Sequence, residues 1–480
     1  MIRTFEPPQI VKSLLEEKLV LIDEEPTQPN WITVIVGENG TQKSYLLLKI
    51  AQQVGKALRE FRPSSDQERT ANAGFSQLIA LSGTPLDRFP RQSSRSSLNF
   101  EREPPYTYFG QRALNGVAGS GPSARNLVAA LLGKRAVLKE RAHLLESIFG
   151  QLGLHPAVHV KFAVASKWAR VSHEDGERSV SFISPVKVRA TLSIVCKRFR
   201  DGFPVGSREH SDALITVKYI QNKGSVAKIG EIIFSEDSEP QVYIHPNRSY
   251  SKSGTLPIAV WRMLFEAGIL EIISTKFFVK KSQASQWSAD DVPGRFLSSG
   301  QWSWLCTLAG LAAQVTDDSL ILVDEPENSL HPAWQRAFVP MLLKILSSMK
   351  ACQVILATHA PLIASGLPPG SGNTRRLVRD VRPEKVTIRS VSAVNTFGWS
   401  ATDSYEALFQ LETTRATIFT KEATEALQMI RDQTGDVRRQ EELLKILTEH
   451  QESLPEFDSM RHVLEGITAD LASLIKGGQS

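Results

Sequence analysis

Lys43 and Ser44 stand where an apolar run, a glycine-containing turn and a helical pattern meet, in Trp31-Ile-Thr-Val-Ile-Val-Gly-Glu-Asn-Gly-Thr-Gln-Lys-Ser44. Such a turn aims backbone N–H groups and a helix N-terminus at a phosphate chain. Lys43 then reaches the β- and γ-phosphates of a nucleotide, and the Ser44 hydroxyl ligates Mg²⁺. The usual pattern is GxxxxGK[ST]. Gly37 and Lys43-Ser44 fit it, but Gln42 replaces the second glycine, which normally lets the backbone pass close to phosphate. This predicts a narrowed loop and slow turnover. Taken alone, the same residues also make an ordinary Gly-Asn turn between a strand and a helix.

Three later segments carry compatible chemistry. Leu320-Ile-Leu-Val-Asp-Glu325 is four apolar residues ending in two carboxylates. A fully buried parallel strand reads this way, and its C-terminal end is where acidic residues meet a ligand. Asp324 is placed to hold Mg²⁺ through water and Glu325 to polarise an attacking water; a core strand with a surface acidic turn has the same pattern. Gln353-Val-Ile-Leu-Ala-Thr-His359 is a second such strand, and His359 is either structural or a γ-phosphate sensor. Leu297-Ser-Ser-Gly-Gln301 precedes an apolar helix expected over 302–315, and small residues at a helix start make an anion-binding cap.

Together these segments resemble the ABC-type ATPase head. Leu297–Gln301 is similar to the LSGGQ signature, with Ser299 for the first glycine. Asp324-Glu-Pro-Glu-Asn-Ser-Leu-His-Pro332 resembles the Walker B and D-loop of the RecF/OLD branch, and Thr358-His-Ala-Pro361 the H-switch of that branch. The resemblance is specific over roughly residues 20–60 and 290–370. It implies an α/β fold: an ABC-type P-loop head with an inserted antiparallel β region and a C-terminal helical tail. It implies ATP held by Gly37, Asn39, Gly40, Thr41, Gln42, Lys43, Ser44 and Tyr45, with Ser298, Ser299, Gly300 and Gln301 of a second copy closing over the γ-phosphate. It makes Glu325 and His359 catalytic, and Ser44, Asp324 and Gln111 the Mg²⁺ contacts. Gln111 is otherwise readable as a surface glutamine. The implied assembly is a homodimer or a dimer of dimers.

The elements that must position these groups are spread widely. The signature lies 260 residues after Gly37 (297 minus 37), so something is inserted. A helix is expected from Tyr45 to Leu58. Residues 62–75 read as a loose loop, Ser76–Ser82 as a strand, 91–105 as a flexible stretch, and Tyr106–Arg112 as another strand end. Residues 123–152 read as helical. From 156 to 250 the period switches to two: Lys187–Cys196 alternates polar and apolar residues, and short runs recur at 159–165, 179–184, 213–221, 228–234 and 241–245. An antiparallel sheet is the simplest account, and the lack of heptads excludes a long coiled-coil arm. Lys187, Arg189, Lys197, Arg198 and Arg200 form a basic cluster without an acid, able to track a phosphate backbone or simply to be solvated. Trp302 and Trp304 read as core or dimer packing. Beyond His359, 367–373 reads as a linker-like turn, Lys385–Val391 as a strand, and 403–411, 421–433, 437–449 and a last stretch around Met460–Leu474 as helices. The organisation expected is an N-terminal ATPase lobe (1–122), a helical segment with the inserted sheet (123–255), a C-terminal ATPase lobe (256–400) and a helical tail (401–480) for dimer or partner docking.

Composition agrees with a globular chain: 480 residues, 41% hydrophobic and 22% charged. The net charge of +5 permits DNA or RNA contact without demanding it. The N-terminal residues carry no signal-peptide pattern and no apolar run approaches membrane-spanning length, so a cytoplasmic setting without membrane is expected. Cys196, Cys306 and Cys352 are far apart and form no CxxC, which points to free buried thiols. The tail has no Asp-x-Asp pair of a TOPRIM nuclease. Ile79–Phe89, Tyr106–Arg112 and Thr396-Phe-Gly-Trp-Ser are similar to segments of ATPase subunits from Septu-type anti-phage systems, stand-alone or retron-associated. That resemblance implies a separate nuclease effector. A RecF-like repair ATPase binding DNA directly, or a non-hydrolysing ATP-bound scaffold, remains the alternative.

Overall fold

The computed structural model describes residues 1–6, 19–60, 74–90, 106–111, 120–133, 135–174, 177–201, 214, 217, 229, 241–247, 250–251, 258–280, 291–382, 385–411 and 413–477. The loop expected at 62–75 lies outside these residues except for its last two, and the stretch at 91–105 lies outside them entirely. The chain divides into two compact units, Met1–Phe409 and Gln410–Ser480.

In chain order the strands of the first unit are β1 (Thr4–Phe5), β2 (Leu19–Val20), β3 (Trp31–Gly37), β4 (Gln77–Ser82), β5 (Tyr106–Phe109), β6 (Leu154–Val164), β7 (Ala169–Glu174) and β8 (Glu177–Phe182). They continue with β9 (Gln241–Ile244), β10 (Tyr250–Ser251), β11 (Leu270–Val279), β12 (Asp291–Pro293), β13 (Ser319–Asp324), β14 (Gln353–Thr358), β15 (Gly372–Arg382) and β16 (Lys385–Ala393). Seven of them form the central sheet, in the order β16-β15-β3-β14-β13-β4-β5. All neighbours in it are parallel except the β15–β16 pair at one edge.

The sequence dictates this sheet. β3, β13 and β14 are buried at every position. Strands covered on both faces carry continuous apolar runs, because successive side chains point to opposite sides. Ile35, Leu78, Ala80, Leu320, Leu322, Ile355 and Ala357 pack on one side with Leu46, Leu47, Ile50, Val54 and Leu58 of helix Lys43–Glu60. Ile32, Val34, Val36, Ile79, Leu81, Ile321, Val323, Val354 and Leu356 face the other side, where they meet helices Ser120–Leu131, Ser299–Gln314 and Pro332–Leu346. The consequence for function is that β3, β13 and β14 run side by side in the same direction, so their C-terminal ends, with Gly37, Asp324 and Thr358, open on one edge of the sheet.

The inserted region is antiparallel, but it is not all strand. β10-β9-β6-β11-β12 make a five-stranded sheet, and β7-β8 make a separate hairpin. The runs at 159–165, 179–184 and 241–245 therefore fall on β6, β8 and β9. Lys187–Cys196 does not: it lies within helix Pro185–Asp201. Val188, Leu192 and Val195 are buried at the i, i+4, i+7 spacing of one helix face. Ala190 and Ile194 are exposed apolar residues away from that face, and with Val188 and Leu192 they created the false period of two. The described residues of 213–221 and 228–234, at 214, 217 and 229, are also helical. The segment 123–152 resolves into helices Ser120–Leu131, Arg135–Glu140 and Ala142–Gly150.

The second unit is built from helices Thr417–Asp432, Val437–Ser453 and Ser459–Gly477 around Ala426, Leu443, Leu447, Leu464, Ile467 and Leu471. Helix Ala401–Phe409 belongs to the first unit, where Leu408 joins the core. No helix among the described residues is long and apolar enough to cross a membrane.

Candidate functional site

The apolar strands leave their polar ends at a shared edge, and each end feeds a turn. β3 ends at Gly37, where a Cβ would lie 2.8 Å from the Leu377 carbonyl oxygen and 2.9 Å from Thr41 Oγ1. Only glycine fits that approach. The chain then turns through Gly40, at φ +83°, and Gln42, at φ +62°, before helix Lys43–Glu60 begins. The left-handed conformation at 42 explains why the usual pattern has glycine there: a Cβ in this region costs roughly 1–2 kcal/mol.

Lys43 is buried, and its ammonium donates to Gly37 O at 2.8 Å and Glu38 O at 3.1 Å. Burial pulls its pKa down to about 8, against the opposing pull of Glu325, Glu327 and Asp324. One residue on, Ser44 Oγ donates to Asp324 Oδ1 at 3.0 Å. Asp324 is 1% exposed, and burial pushes its pKa up to about 7, with Glu325, Asp87 and Glu327 adding in the same direction. Ser44 and Asp324 are separated by 280 residues in sequence and joined only because β3 and β13 flank β14.

His359 lies between the lysine and the second carboxylate. Its Nδ1 is 3.2 Å from Lys43 Nζ, and its Nε2 is 3.1 Å from Glu325 Oε1. A lysine ammonium has only hydrogens to offer, so Nδ1 accepts and the ring proton belongs on Nε2, facing the carboxylate. Glu325 Oε2 receives the Asn328 amide at 2.9 Å. The His359 contact, followed by the Asn328 donor, holds the Glu325 carboxyl below the usual carboxylate range despite partial burial. Glu325 itself sits at φ +44°, the backbone bend that turns its side chain back over the end of β14. Two further ties close the turn: Glu325 N donates to Ala357 O at 2.9 Å, and His359 N to Glu327 Oε1 at 2.5 Å.

The remaining expected residues are placed as follows. Asn39 and Gly40 are exposed in the turn, and Thr41 is buried with its hydroxyl on Glu38 O at 2.8 Å. Tyr45 projects from the first turn of the helix, with Lys49 Nζ 4.9 Å from its ring centre and the Arg88 guanidinium 5.9 Å away. Gln111 follows β5, and its amide donates to Gly83 O at 3.0 Å. Gly83 is pressed against Glu325, whose carbonyl oxygen would lie 2.2 Å from a Cβ there. Gln111 thus braces the turn beside Glu325.

Among the described residues, the side-chain hydrogen bonds of Ser298 and Gln301 are to each other and not to this cluster. Ser298 caps helix Ser299–Trp304 in a reciprocal capping box with Gln301. Helix Ser299–Gln314 contains a π-helical turn at Leu305–Ala309, and Trp302 and Trp304 are core residues hydrogen-bonded to Gly294 O and Ile148 O. Gly300 lies directly on the main chain of the acidic turn: a Cβ there would be 2.2 Å from Ser329 O. Ser299 is exposed. Within one chain, 37–45, 324–325 and 359 come together, while Ser298 and Ser299 are exposed and Gly300 is buried against the turn that follows Glu325.

Glu327 and Asn328 were not singled out in the sequence. The available signal was two polar residues separated by one proline from a carboxylate pair at the end of a buried strand. In the basic cluster, Lys187 and Lys197 are exposed on helix Pro185–Asp201. The side chains of Arg198 and Arg200 lie outside the described residues, as does that of Cys196. Cys306 and Cys352 are buried free thiols.

Comparison with known proteins adds a coarse assignment. Residues 204–365 match the model of a family described as "AAA domain, putative AbiEii toxin, Type IV TA system". The match takes in the signature, the acidic turn and His359 but not the turn at 37–44. Over 124 residues the chain is 30% identical to Protein ea59 of Escherichia phage lambda, a stretch that is 25% of this chain and about a fifth, 22%, of that protein. Among solved structures, the chain resembles an Smc head bound to the C-terminal winged-helix domain of ScpA, at 13% identity and TM-score 0.29 over 79% of this chain and 95% of that one. It also resembles an Smc head with an extended coiled coil bound to the C-terminal domain of ScpA from Pyrococcus furiosus, at 11% identity and TM-score 0.28 over 79% of this chain and 94% of that one. Superpositions this loose transfer no residue. The six parallel strands, the turn at 37–44 and the family match give a P-loop ATPase fold of the AAA/ABC type.

Proposed function

We propose that the chain binds ATP with Mg²⁺ in a head-to-head dimer, hydrolyses it slowly, and thereby controls a separate nuclease effector in anti-phage defence, in the cytoplasm. The observation that carries the reading is the pairing of Ser44 with Asp324 beside the Lys43–His359–Glu325 chain. Mg²⁺ takes one or two carboxylates together with substrate phosphate and water rather than a full protein cage. The donor set fits that habit: Asp324 is a buried carboxylate, and the Ser44 hydroxyl adjoins it at 3.0 Å. Ser44 and Asp324 would hold the ion, which neutralises phosphate charge when bound.

The protein's own groups then divide the work. Lys43 leaves its main-chain acceptors for the β- and γ-phosphates. Glu325, kept ionised by His359 and Asn328, orients water and accepts its proton. His359 turns its Nδ1 side to the γ-phosphate when Lys43 is drawn off. The exposed Ser299 with Ser298, Gly300 and Gln301 closes over the nucleotide of the second copy. The strained Gln42 slows the cycle. The effector and the defence role rest on the sequence resemblance to Septu-type ATPase subunits.

The decisive experiment is Glu325→Gln. It should retain ATP, accumulate as an ATP-bound dimer in sedimentation, and lose steady-state turnover roughly a hundredfold or more. Unchanged turnover, or an ATP-bound monomer, overturns the reading. Direct binding of DNA by the dimer is the second reading, favoured by exposed Lys187 and Lys197. It requires affinity that falls steeply with salt in the absence of any effector.

A further inference from the structure

Glu327 is the acidic residue for which the mechanism above has no use. Its Oε1 accepts the His359 main-chain N–H at 2.5 Å. Its Oε2 is shut off from solvent and lacks a hydrogen bond of good geometry. Burial raises its pKa, partly offset by the His359 N–H, its own main chain and the Thr358 hydroxyl. A carboxylate placed this way is expensive, because an under-satisfied buried polar group costs free energy that an apolar residue of the same size would not. Its short hydrogen bond goes to the main chain of the residue whose ring spans Lys43 and Glu325.

The surrounding geometry shows what the bond controls. β13 and β14 are already tied at their ends by Glu325 N to Ala357 O. That bond fixes the strands but not the chain beyond Thr358, which leaves the sheet at His359. The Thr358 hydroxyl oxygen accepts from Ala360 N at 2.9 Å. Glu327 is therefore the group that fixes the main chain of His359 itself. Imidazole has two χ angles, so once its N–H is anchored the ring is confined to the arc that reaches both Lys43 and Glu325.

We infer that Glu327 is a positioning residue that sets the His359 imidazole between Lys43 and Glu325. Its effect on turnover rests on the hydrolytic reading given above; its effect on His359 does not. Glu327→Ala removes the acceptor, whereas Glu327→Gln keeps an oxygen for the same N–H and nearly the same volume.

The test has two arms. In the first, hydrogen exchange of the His359 amide should be at least tenfold faster in Glu327→Ala than in the unaltered chain, and within threefold of it in Glu327→Gln. Equal exchange in all three, or Gln as fast as Ala, overturns the proposal whether or not the chain hydrolyses ATP. In the second arm, Glu327→Ala should hold ATP within about twofold and lose kcat roughly ten- to a hundredfold, with Gln restoring most of it. Combined with His359→Ala, it should cost nothing further. A purely structural brace would instead give additive losses in the double variant and lowered ATP retention, and either result overturns the proposal. An unaltered chain without turnover counts against the hydrolytic reading alone, and the exchange arm still decides the role of Glu327.

Discussion

The sheet edge at 37–45, 324–328 and 359 and the three-helix unit of 413–477 use charge in opposite ways. At the sheet edge, charged groups are sunk where their charged forms are penalised: Lys43 falls to about 8 and Asp324 rises to about 7. In the helical unit the ion pairs keep partial access to water. Arg439 bonds both Glu425 and Glu442, and Arg415 bonds Asp458, at the margin of a core whose buried apolar residues are alanine, leucine and isoleucine. Exposed ion pairs of this kind add little, so that unit is held by apolar burial. The sheet edge instead spends stability that the surrounding core supplies. The comparison supports placing the proposed site in the region whose polar groups would be more comfortable elsewhere.

The sharpest way to break the comparison is Lys43→Ala. Removing a buried cation from among three carboxylates should reduce ATP retention at least a hundredfold, read by filter binding, while thermal unfolding is little changed. A large fall in stability with retention intact would make the lysine structural. Leu471→Ala should do the reverse. The residue is fully buried in the helical unit, so the change should cost that unit about 3 kcal/mol in denaturant unfolding and leave ATP retention untouched. Gln42→Gly is the smallest and the finest test. Relief of the left-handed strain should stabilise the first unit by about 1 kcal/mol and speed nucleotide exchange. If stability is unchanged, strain at 42 is not what slows the loop.

The same contrast explains how much was legible in advance. β3, β13 and β14 were readable because strands buried on both faces carry unbroken apolar runs, and their chemistry lies in the residue or two after each run ends. The helix at Pro185–Asp201 was misread because Ala190 and Ile194 are apolar residues exposed on it. Ser184-Pro185 held the correct signal: Ser184 Oγ accepts Lys187 N at 3.3 Å as an N-cap, and proline suits the first helical position. The identities of Lys43, Ser44, Asp324, Glu325 and His359 could be named from spacing. The tie from Glu327 to His359 could not, because it depends on how far the turn after β13 folds back over β14. Five-strand order in the inserted sheet, with β6 between β9 and β11, was equally hidden: it joins segments more than a hundred residues apart, and alternation says only that a strand has a partner.

Gly300 and Ser329 meet with no side chain between them. Backbone resting on backbone has no rotamers with which to absorb a displacement. Whatever presses on 298–301 from outside must therefore be delivered, like a load through a keystone, into the bend that carries Asn328 and Glu325.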